Sequence, residues 1–254
     1  YALDANTTAN NNTAVGYLSL SANTTGTDNT AVGESSGAAV TTGINNTLIG
    51  AEAGDAITDA DHNTAVGFRS LSTNILGSRS IAIGAGSLFA QNPASAVDMY
   101  NTAVGYEAGV SVTTGPANVL IGGLSGDAIT TGGNNVAMGH TSLGSTTTGA
   151  NNVAIGADAL AANTTASNNT AVGKSALLAN TTGTLNVAVG FNSLDANTNG
   201  NHNTALGYNT LGAQNYGSAT DSYNTAVGSA AGALVTTGIQ NTLIGGLAGD
   251  RLDV

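Results

Sequence analysis

Apolar and polar residues follow one short pattern that recurs along the whole chain. Its centre is the pentad Asn-Thr-Ala-Val-Gly, which returns with conservative changes, for example as Asn-Val-Ala-Val-Gly at residues 186–190. Successive pentad glycines are 17 residues apart, except from Gly84 to Gly105 and from Gly207 to Gly228, where the interval is 21 residues. A fixed period of this length is typical of solenoids, in which each repeat is one unit stacked on the next.

The three residues before each pentad glycine predict a short β-strand. The first and third are Thr or apolar residues and share one face, because side chains alternate along a strand. The middle residue is always Ala or Leu, where a strand with one wet face would carry a polar side chain. Both faces are therefore expected to be buried. The Ala/Leu face is predicted to pack against another copy of the chain through Ala14, Ala31, Leu48, Ala65, Ala103, Leu120, Ala171, Ala188, Ala226 and Leu243.

The stretch after each glycine shows a compensation between two positions. Four residues after the glycine stands Leu or Gly; three residues further on, Leu is accompanied by a polar residue and Gly by an apolar one, as in Leu177/Asn180 and Gly54/Ile57. Each coil thus offers one large side chain from one of two places. This predicts a narrow core slot, because interiors tolerate neither voids nor overpacking. A second strand or a single helical turn ended by a left-handed Asn would both suit this stretch.

Together these features predict an all-β fold, a repetitive parallel β-solenoid of 17-residue coils. The Asn that leads the pentads is expected to form a ladder of stacked amides. About 15 coils would make one continuous repeat domain over residues 1–254, with longer connections at 89–100 and 212–223.

The pentads at residues 12–16 and 186–190, with the Ser-Leu or Ala-Leu that follows them, resemble the head repeats of trimeric autotransporter adhesins, and similar repeats occur in phage tail fibres. The resemblance covers essentially the whole chain. It implies a left-handed parallel β-roll made by three intertwined or closely packed chains and exposed at a cell or virion surface.

Composition excludes several classes of partner. The chain has four Lys and Arg residues against 15 Asp and Glu, a net charge of −11, which argues against nucleic acid because phosphates require clustered basic residues. No apolar run approaches the roughly 20 residues of a membrane-spanning helix, so membrane insertion is not expected. The absence of Cys removes disulfides and thiol chemistry.

Candidate catalytic and metal motifs reduce to features of the repeat. The Gly-x-Ser-x-Gly segment at residues 33–37 takes both glycines from the repeat and lacks the strand-turn-helix context of a hydrolase elbow. His62 and His202 occupy equivalent places eight coils apart, and the calcium-binding glycine-aspartate repeat does not recur. We therefore expect no catalytic residue, no metal and no cofactor, and predict that the chain is not an enzyme.

Aromatic residues give the best lead to a ligand. Four of them, Phe89, Tyr100, Tyr216 and Tyr223, lie in the two longer connections, and loops on a rigid scaffold commonly carry binding. A surface glycan or receptor is expected to contact these four, unless the rings pack back onto the coils. Five others directly follow pentad glycines: Tyr17, Phe68, Tyr106, Phe191 and Tyr208.

The sequence thus favours a non-enzymatic structural or adhesive fibre segment, exposed on a cell or virion surface, whose first partner is itself as a homotrimer. One alternative is a self-assembling extracellular filament whose subunits stack end to end. A third is an ice-binding solenoid, which is disfavoured because the strand threonines are expected to point inward and the paired threonines to lie in turns.

Overall fold

Each pentad forms a three-residue strand that lies parallel to the equivalent strand of the neighbouring coil. The computed structural model describes residues 1–252 and shows a parallel β-solenoid of about 14 coils, with no helix among those residues. Two compact units divide it, Tyr1–Thr131 and Gly132–Val254. Residues 253 and 254, the end of the predicted repeat domain, lie outside the described residues.

The first unit has seven coil strands and one pair of two-residue strands. The coil strands are β1 (Thr13–Val15), β2 (Thr30–Val32), β3 (Thr47–Ile49), β4 (Thr64–Val66), β6 (Ile81–Ile83), β8 (Thr102–Val104) and β9 (Val119–Ile121), and the extra pair is β5 (Gly77–Ser78) with β7 (Val97–Asp98). Register is strict: Ala14 lies opposite Ala31, and Ala31 opposite Leu48.

The second unit repeats this arrangement. Its coil strands are β10 (Val136–Met138), β11 (Val153–Ile155), β12 (Thr170–Val172), β13 (Val187–Val189), β15 (Thr204–Leu206), β17 (Thr225–Val227) and β18 (Thr242–Ile244), and the extra pair is β14 (Gly200–Asn201) with β16 (Thr220–Asp221). In both units the second strand of the extra pair lies in a 21-residue coil and pairs with the first strand in the 17-residue coil before it, so each longer coil adds a second short ladder.

The pentad glycine is required by the close approach of successive coils. Gly33 has a φ of +136°, and a Cβ there would lie 2.5 Å from the carbonyl oxygen of Gly50 in the next coil. Neither the dihedral angle nor the space admits a side chain.

After the glycine the chain folds into successive tight turns. Leu18 and Leu20 both have left-handed backbones, with φ of +55° and +47°. The N–H of Ser19 donates to the carbonyl of Gly16 within the coil, at 3.4 Å, whereas the N–H of Leu20 donates to Ser36 of the next coil, at 3.0 Å. Hydrogen bonds within the coil therefore alternate with hydrogen bonds to the next coil. This stretch is neither a second strand nor a helical turn ended by Asn.

The predicted core slot is confirmed. Leu177 is fully buried and its polar companion Asn180 is buried beside it, with Nδ2 donating to the Gly183 carbonyl at 3.0 Å. In a coil of the other kind, a Cβ on Gly54 would lie 2.9 Å from Cδ1 of Ile57. The apolar side chain therefore takes the space that Leu fills elsewhere.

The Asn ladder is also confirmed. The backbone N–H of Asn46 donates to Oδ1 of Asn29 at 2.9 Å, and that of Asn63 donates to Oδ1 of Asn46 at 3.0 Å. Nδ2 of Asn46 donates to the carbonyl of Ala60 at 2.9 Å. Each buried amide thus satisfies backbone groups of two coils, as buried polar groups must.

Candidate functional site

The direction of the strand side chains differs from the sequence prediction. The middle residues point into the coil, and Ala31, Leu48, Ala65, Ala103, Leu120, Ala171, Ala188 and Ala226 are fully buried within the single chain. Ala14 and Leu243, on the first and last strands, are half-buried. The assignment of this face to an inter-chain contact is therefore wrong for the eight fully buried residues, because they leave no atom for a second chain to touch.

The opposite face of each strand is the one that meets solvent. We define the outward face of a unit as the first and third residues of its seven coil strands; all are half-buried or exposed. Ile155 is 37% exposed and Leu206 46%. The strand threonines, such as Thr47, lie on this face, which corrects the expectation that they point inward.

The four aromatic residues predicted to bind a ligand have different surroundings. Phe89 is half-buried and lines a cavity described below. Tyr100 is 58% exposed and its hydroxyl bonds to Asp98 at 3.0 Å; Tyr223 is 51% exposed and stacks on His202 with ring centroids 4.7 Å apart. Tyr216 is only 6% exposed, so the structure contradicts its assignment as a ligand contact.

Tyr216 has a packing role that Met99 fills in the other unit. A Cβ on Gly200 would lie 2.9 Å from Cε2 of Tyr216, and a Cβ on Gly77 would lie 3.1 Å from Cγ of Met99. Gly77 and Gly200 begin the equivalent short strands β5 and β14. The two longer connections therefore each insert one large side chain over the same glycine.

An aromatic cleft lies in the first unit, with a volume of about 300 Å³, at the lower end of the range for small-molecule sites. We use the name aromatic cleft for the cavity lined by Phe68, Arg69, Ala85, Gly86, Phe89, Tyr106, Glu107 and Val110. The guanidinium of Arg69 lies 5.0 Å from the ring centroid of Phe89 and 5.9 Å from that of Phe68, both within cation–π range.

Charged groups hold the sides of the aromatic cleft. Nε of Arg69 pairs with Oε2 of Glu52 at 2.9 Å, which fixes the guanidinium over the rings. Glu107 raises the pKa of the Tyr106 hydroxyl above its usual value, first through a hydrogen bond and then through its charge. One wall of the cleft thus carries the Arg69 cation, a hydrogen-bond donor, and the other carries the Tyr106 hydroxyl paired with the Glu107 carboxylate.

Of the residues that line the cleft, the sequence predicts a ligand contact only for Phe89. Phe68 and Tyr106 are distinguished in the sequence only as residues that follow pentad glycines. The signal that would have found the cleft is the pair of small residues, Ala85 and Gly86, which stands at the same place in the coil between them.

Among residues 1–252, no group of three or more His, Asp or Glu side chains could hold a metal ion. The same residues include no helix long and apolar enough to cross a membrane. Comparison with protein-family models, curated proteins and solved structures finds no significant match to this chain. The resemblance to adhesin heads and tail fibres therefore stays a prediction.

Proposed function

We propose that the chain is a non-enzymatic structural segment of a fibre on a cell or virion surface, in which copies of the chain, three to a fibre, pack side by side through their outward faces. The observation that carries this proposal is the composition of those faces. Two outward positions on each of 14 strands are occupied only by Thr, Val, Ile, Leu and Met. Threonine holds nine of these 28 positions and apolar residues hold the other 19, and an exposed surface that is mostly apolar marks an interaction site in soluble proteins.

Charge placement supports a second copy of the chain as the occupant. The net charge is −11, so two copies repel each other wherever their acidic groups meet. The outward faces carry no charged residue at all, and the acidic groups stand in the turns and after the glycines, as at Asp28 and Glu34. Packing these faces together brings the copies into contact where repulsion is weakest.

Size and spacing also suit self-association. With strands about 4.8 Å apart and residues about 3.3 Å apart along each strand, the outward face of one unit measures roughly 300 Å². Each of the two units supplies such a face, against the ~800 Å² per partner of a standard interface. Ridges with the same period on both partners can interdigitate.

Mass in solution tests this proposal. Ile155→Lys with Val172→Lys places two charges on neighbouring strands of the outward face, and we expect the trimer seen by light scattering to become a folded monomer. Thr165→Lys with Thr182→Lys, in exposed turns of the same coils, is the matched control and should leave the mass unchanged. A monomeric unmodified chain contradicts the proposal, and filaments of indefinite length favour end-to-end stacking instead.

Ice binding is a second candidate. The sequence disfavours it because it predicts strand threonines that point inward, whereas they lie on the outward face. Thr30, Thr47 and Thr64 lie on consecutive strands about 4.8 Å apart on the outward face. A monomer that shows thermal hysteresis, lost in Thr47→Lys and kept in Thr182→Lys, would support this function. No hysteresis at any concentration would reject it.

A further inference from the structure

The aromatic cleft exists because one coil lacks side chains that its neighbours carry. The two residues after the pentad glycine are Phe68 and Arg69 in one coil and Tyr106 and Glu107 two coils on. The coil between them has Ala85 and Gly86 at these places. Coils stack about 4.8 Å apart, so the two large pairs stand roughly 9.6 Å apart with an open slot between them.

The second unit carries a ring at the place where the first unit has Ala85. Phe191 and Tyr208 follow the glycines of adjacent coils, and their rings stack with centroids 5.8 Å apart and planes 7° from parallel. Phe191 lies 123 residues after Phe68, and Tyr208 lies 123 residues after Ala85. A six-membered ring can therefore stand against the neighbouring aromatic at this place in the coil, and in the first unit, where Ala85 replaces it, the space is open.

The open space in the first unit is not imposed by the backbone. Gly86 has a φ of +68°, yet Arg69 and Glu107 occupy the equivalent position with φ of +54° and +51° and carry long side chains. A Cβ on Gly86 would meet a single side-chain atom, Cγ of Glu107, at 3.2 Å. A side chain can therefore stand at this position, and its absence keeps the slot open.

The groups around the slot define the chemistry of its occupant. Phe68 and Tyr106 face it from two coils and Phe89 closes it from the longer connection. Aromatic faces carry negative charge density and attract the weakly positive C–H groups of a saturated ring. The Arg69 guanidinium supplies hydrogen-bond donors and the Glu107 carboxylate supplies acceptors, a combination that suits hydroxyl groups.

From this geometry we infer that the aromatic cleft binds one pyranose unit of a neutral glycan, with the sugar ring in the slot that Tyr208 fills in the other unit. An anionic sugar is disfavoured, because Glu52 already pairs with Arg69 and Glu107 adds a second carboxylate. All lining residues belong to one unit of one chain, so this inference does not depend on side-by-side assembly.

Titration of the full chain with methyl glycosides of glucose, galactose, mannose and N-acetylglucosamine tests the inference, with saturation-transfer NMR as the readout. At least one glycoside should bind, and Ala85→Tyr, which copies the second unit, should reduce its affinity roughly tenfold or more by filling the slot. Tyr106→Ala should cause a similar loss. Tyr17→Ala, the same residue type at the same coil position outside the cleft, should change affinity by less than about twofold.

Each other outcome overturns the inference. Failure of all four glycosides to bind would reject it, as would binding that Ala85→Tyr leaves intact in a folded protein. Should Ala85→Tyr not fold, Gly86→Asn, which copies Asn209 of the second unit, blocks the slot instead. Indole serves as a planar comparison probe, and binding of indole without any glycoside would assign the cleft to an aromatic ligand. The same titration with the Ile155→Lys/Val172→Lys variant shows whether the cleft binds a glycoside when the chains do not associate, so the two proposals can fail independently.

Discussion

Cδ1 of Leu48 occupies the space that a side chain on Gly37 would need, since a Cβ there would lie only 2.7 Å from that atom. Cδ2 of the same leucine stands 2.7 Å from the equivalent position on Gly54 in the next coil. One strand leucine thus fills the gaps left by two glycines. Leu120 lies in the same way between Gly109 and Gly126. The compensation in the core therefore involves the strand residue as well as the two turn positions.

Removal of the strand leucine should open two gaps at once. Leu48→Ala is expected to lower the free energy of unfolding by about 2–5 kcal/mol, the range for a buried Leu replaced by Ala. Urea unfolding followed by circular dichroism gives the value. Ala213→Gly, at a half-buried position outside the slot, is the control. A loss below about 1 kcal/mol would mean that the neighbouring coils collapse onto the space.

The reverse substitution, a leucine in place of a strand alanine, should overpack the core unless the two neighbouring turn leucines are removed. Ala188→Leu places a leucine between Leu177 and Leu194, which already fill the slots of their coils, and should destabilise the fold by about 1–3 kcal/mol. Adding Leu177→Gly and Leu194→Gly should recover part of that loss. If the triple variant is less stable than Ala188→Leu alone, the pairing of strand leucines with glycines is not a packing rule.

The 17-residue period predicted the strands, their parallel order, the Asn ladder and the core slot, because each depends only on what repeats. The direction of the strand side chains was predicted wrongly for a physical reason. The usual rule places the larger apolar residues inside, but this coil is so narrow that one leucine and a column of alanines fill it. Val32 and Ile49 therefore stand outside, and Ala31 stands inside.

The aromatic cleft is harder to predict from the sequence, because it depends on departures from the repeat rather than on what repeats. Phe68 and Tyr106 share a column only once the stacking of coils is known, and the gap between them comes from Ala85 and Gly86 in one coil. Likewise, burial of Tyr216 follows from the path of its longer connection, which no repeat predicts.

Replacing a ladder Asn by Ser should destabilise the fold, even though one coil has Ser at this position. Asn46→Ser leaves the carbonyl of Ala60 and the N–H of Asn63 without their side-chain partner, at about 1–3 kcal/mol for each buried group. Ser80 is tolerated because Oε1 of Gln91 lies 3.2 Å from its hydroxyl, whereas the coil of Asn46 has Ile57 at the matching place. Urea midpoints measure the loss.

The same experiment has an internal check in Thr25→Ala, an exposed turn position that should change stability by no more than about 0.5 kcal/mol. An Asn46→Ser variant as stable as Thr25→Ala would show that the ladder contributes nothing net.

Tyr216 should behave as a core residue and Tyr223 as a surface one. Tyr216→Ala is expected to cost about 3–5 kcal/mol, as for other large buried aromatics. Tyr216→Phe should cost about 1 kcal/mol, since it loses the bond that the hydroxyl donates to the Gly238 carbonyl at 2.8 Å. Tyr223→Ala removes only an exposed stack on His202 and should cost about 1 kcal/mol or less. Equal losses at the two tyrosines would refute the packing role of Tyr216.

Asp195 should destabilise the fold at neutral pH, and its removal should help. Burial raises the pKa of this carboxyl group, and among the described residues its Oδ1 has no hydrogen-bond partner. Because the folded-state pKa lies above the unfolded one, the charged form is penalised in the fold at neutral pH, and the penalty disappears as pH falls below both values. Ala161 stands at the equivalent position of another coil, so Ala is compatible with this place. Asp195→Ala should therefore raise the urea midpoint at pH 7 and lose that advantage near pH 3.

Asp55 stands at the matching place of a third coil and is the control. It accepts a hydrogen bond from the Ser72 hydroxyl at 2.5 Å, so Asp55→Ala should lower the urea midpoint at pH 7. An Asp195→Ala gain that is the same at both pH values would show that the carboxylate charge is not its cause.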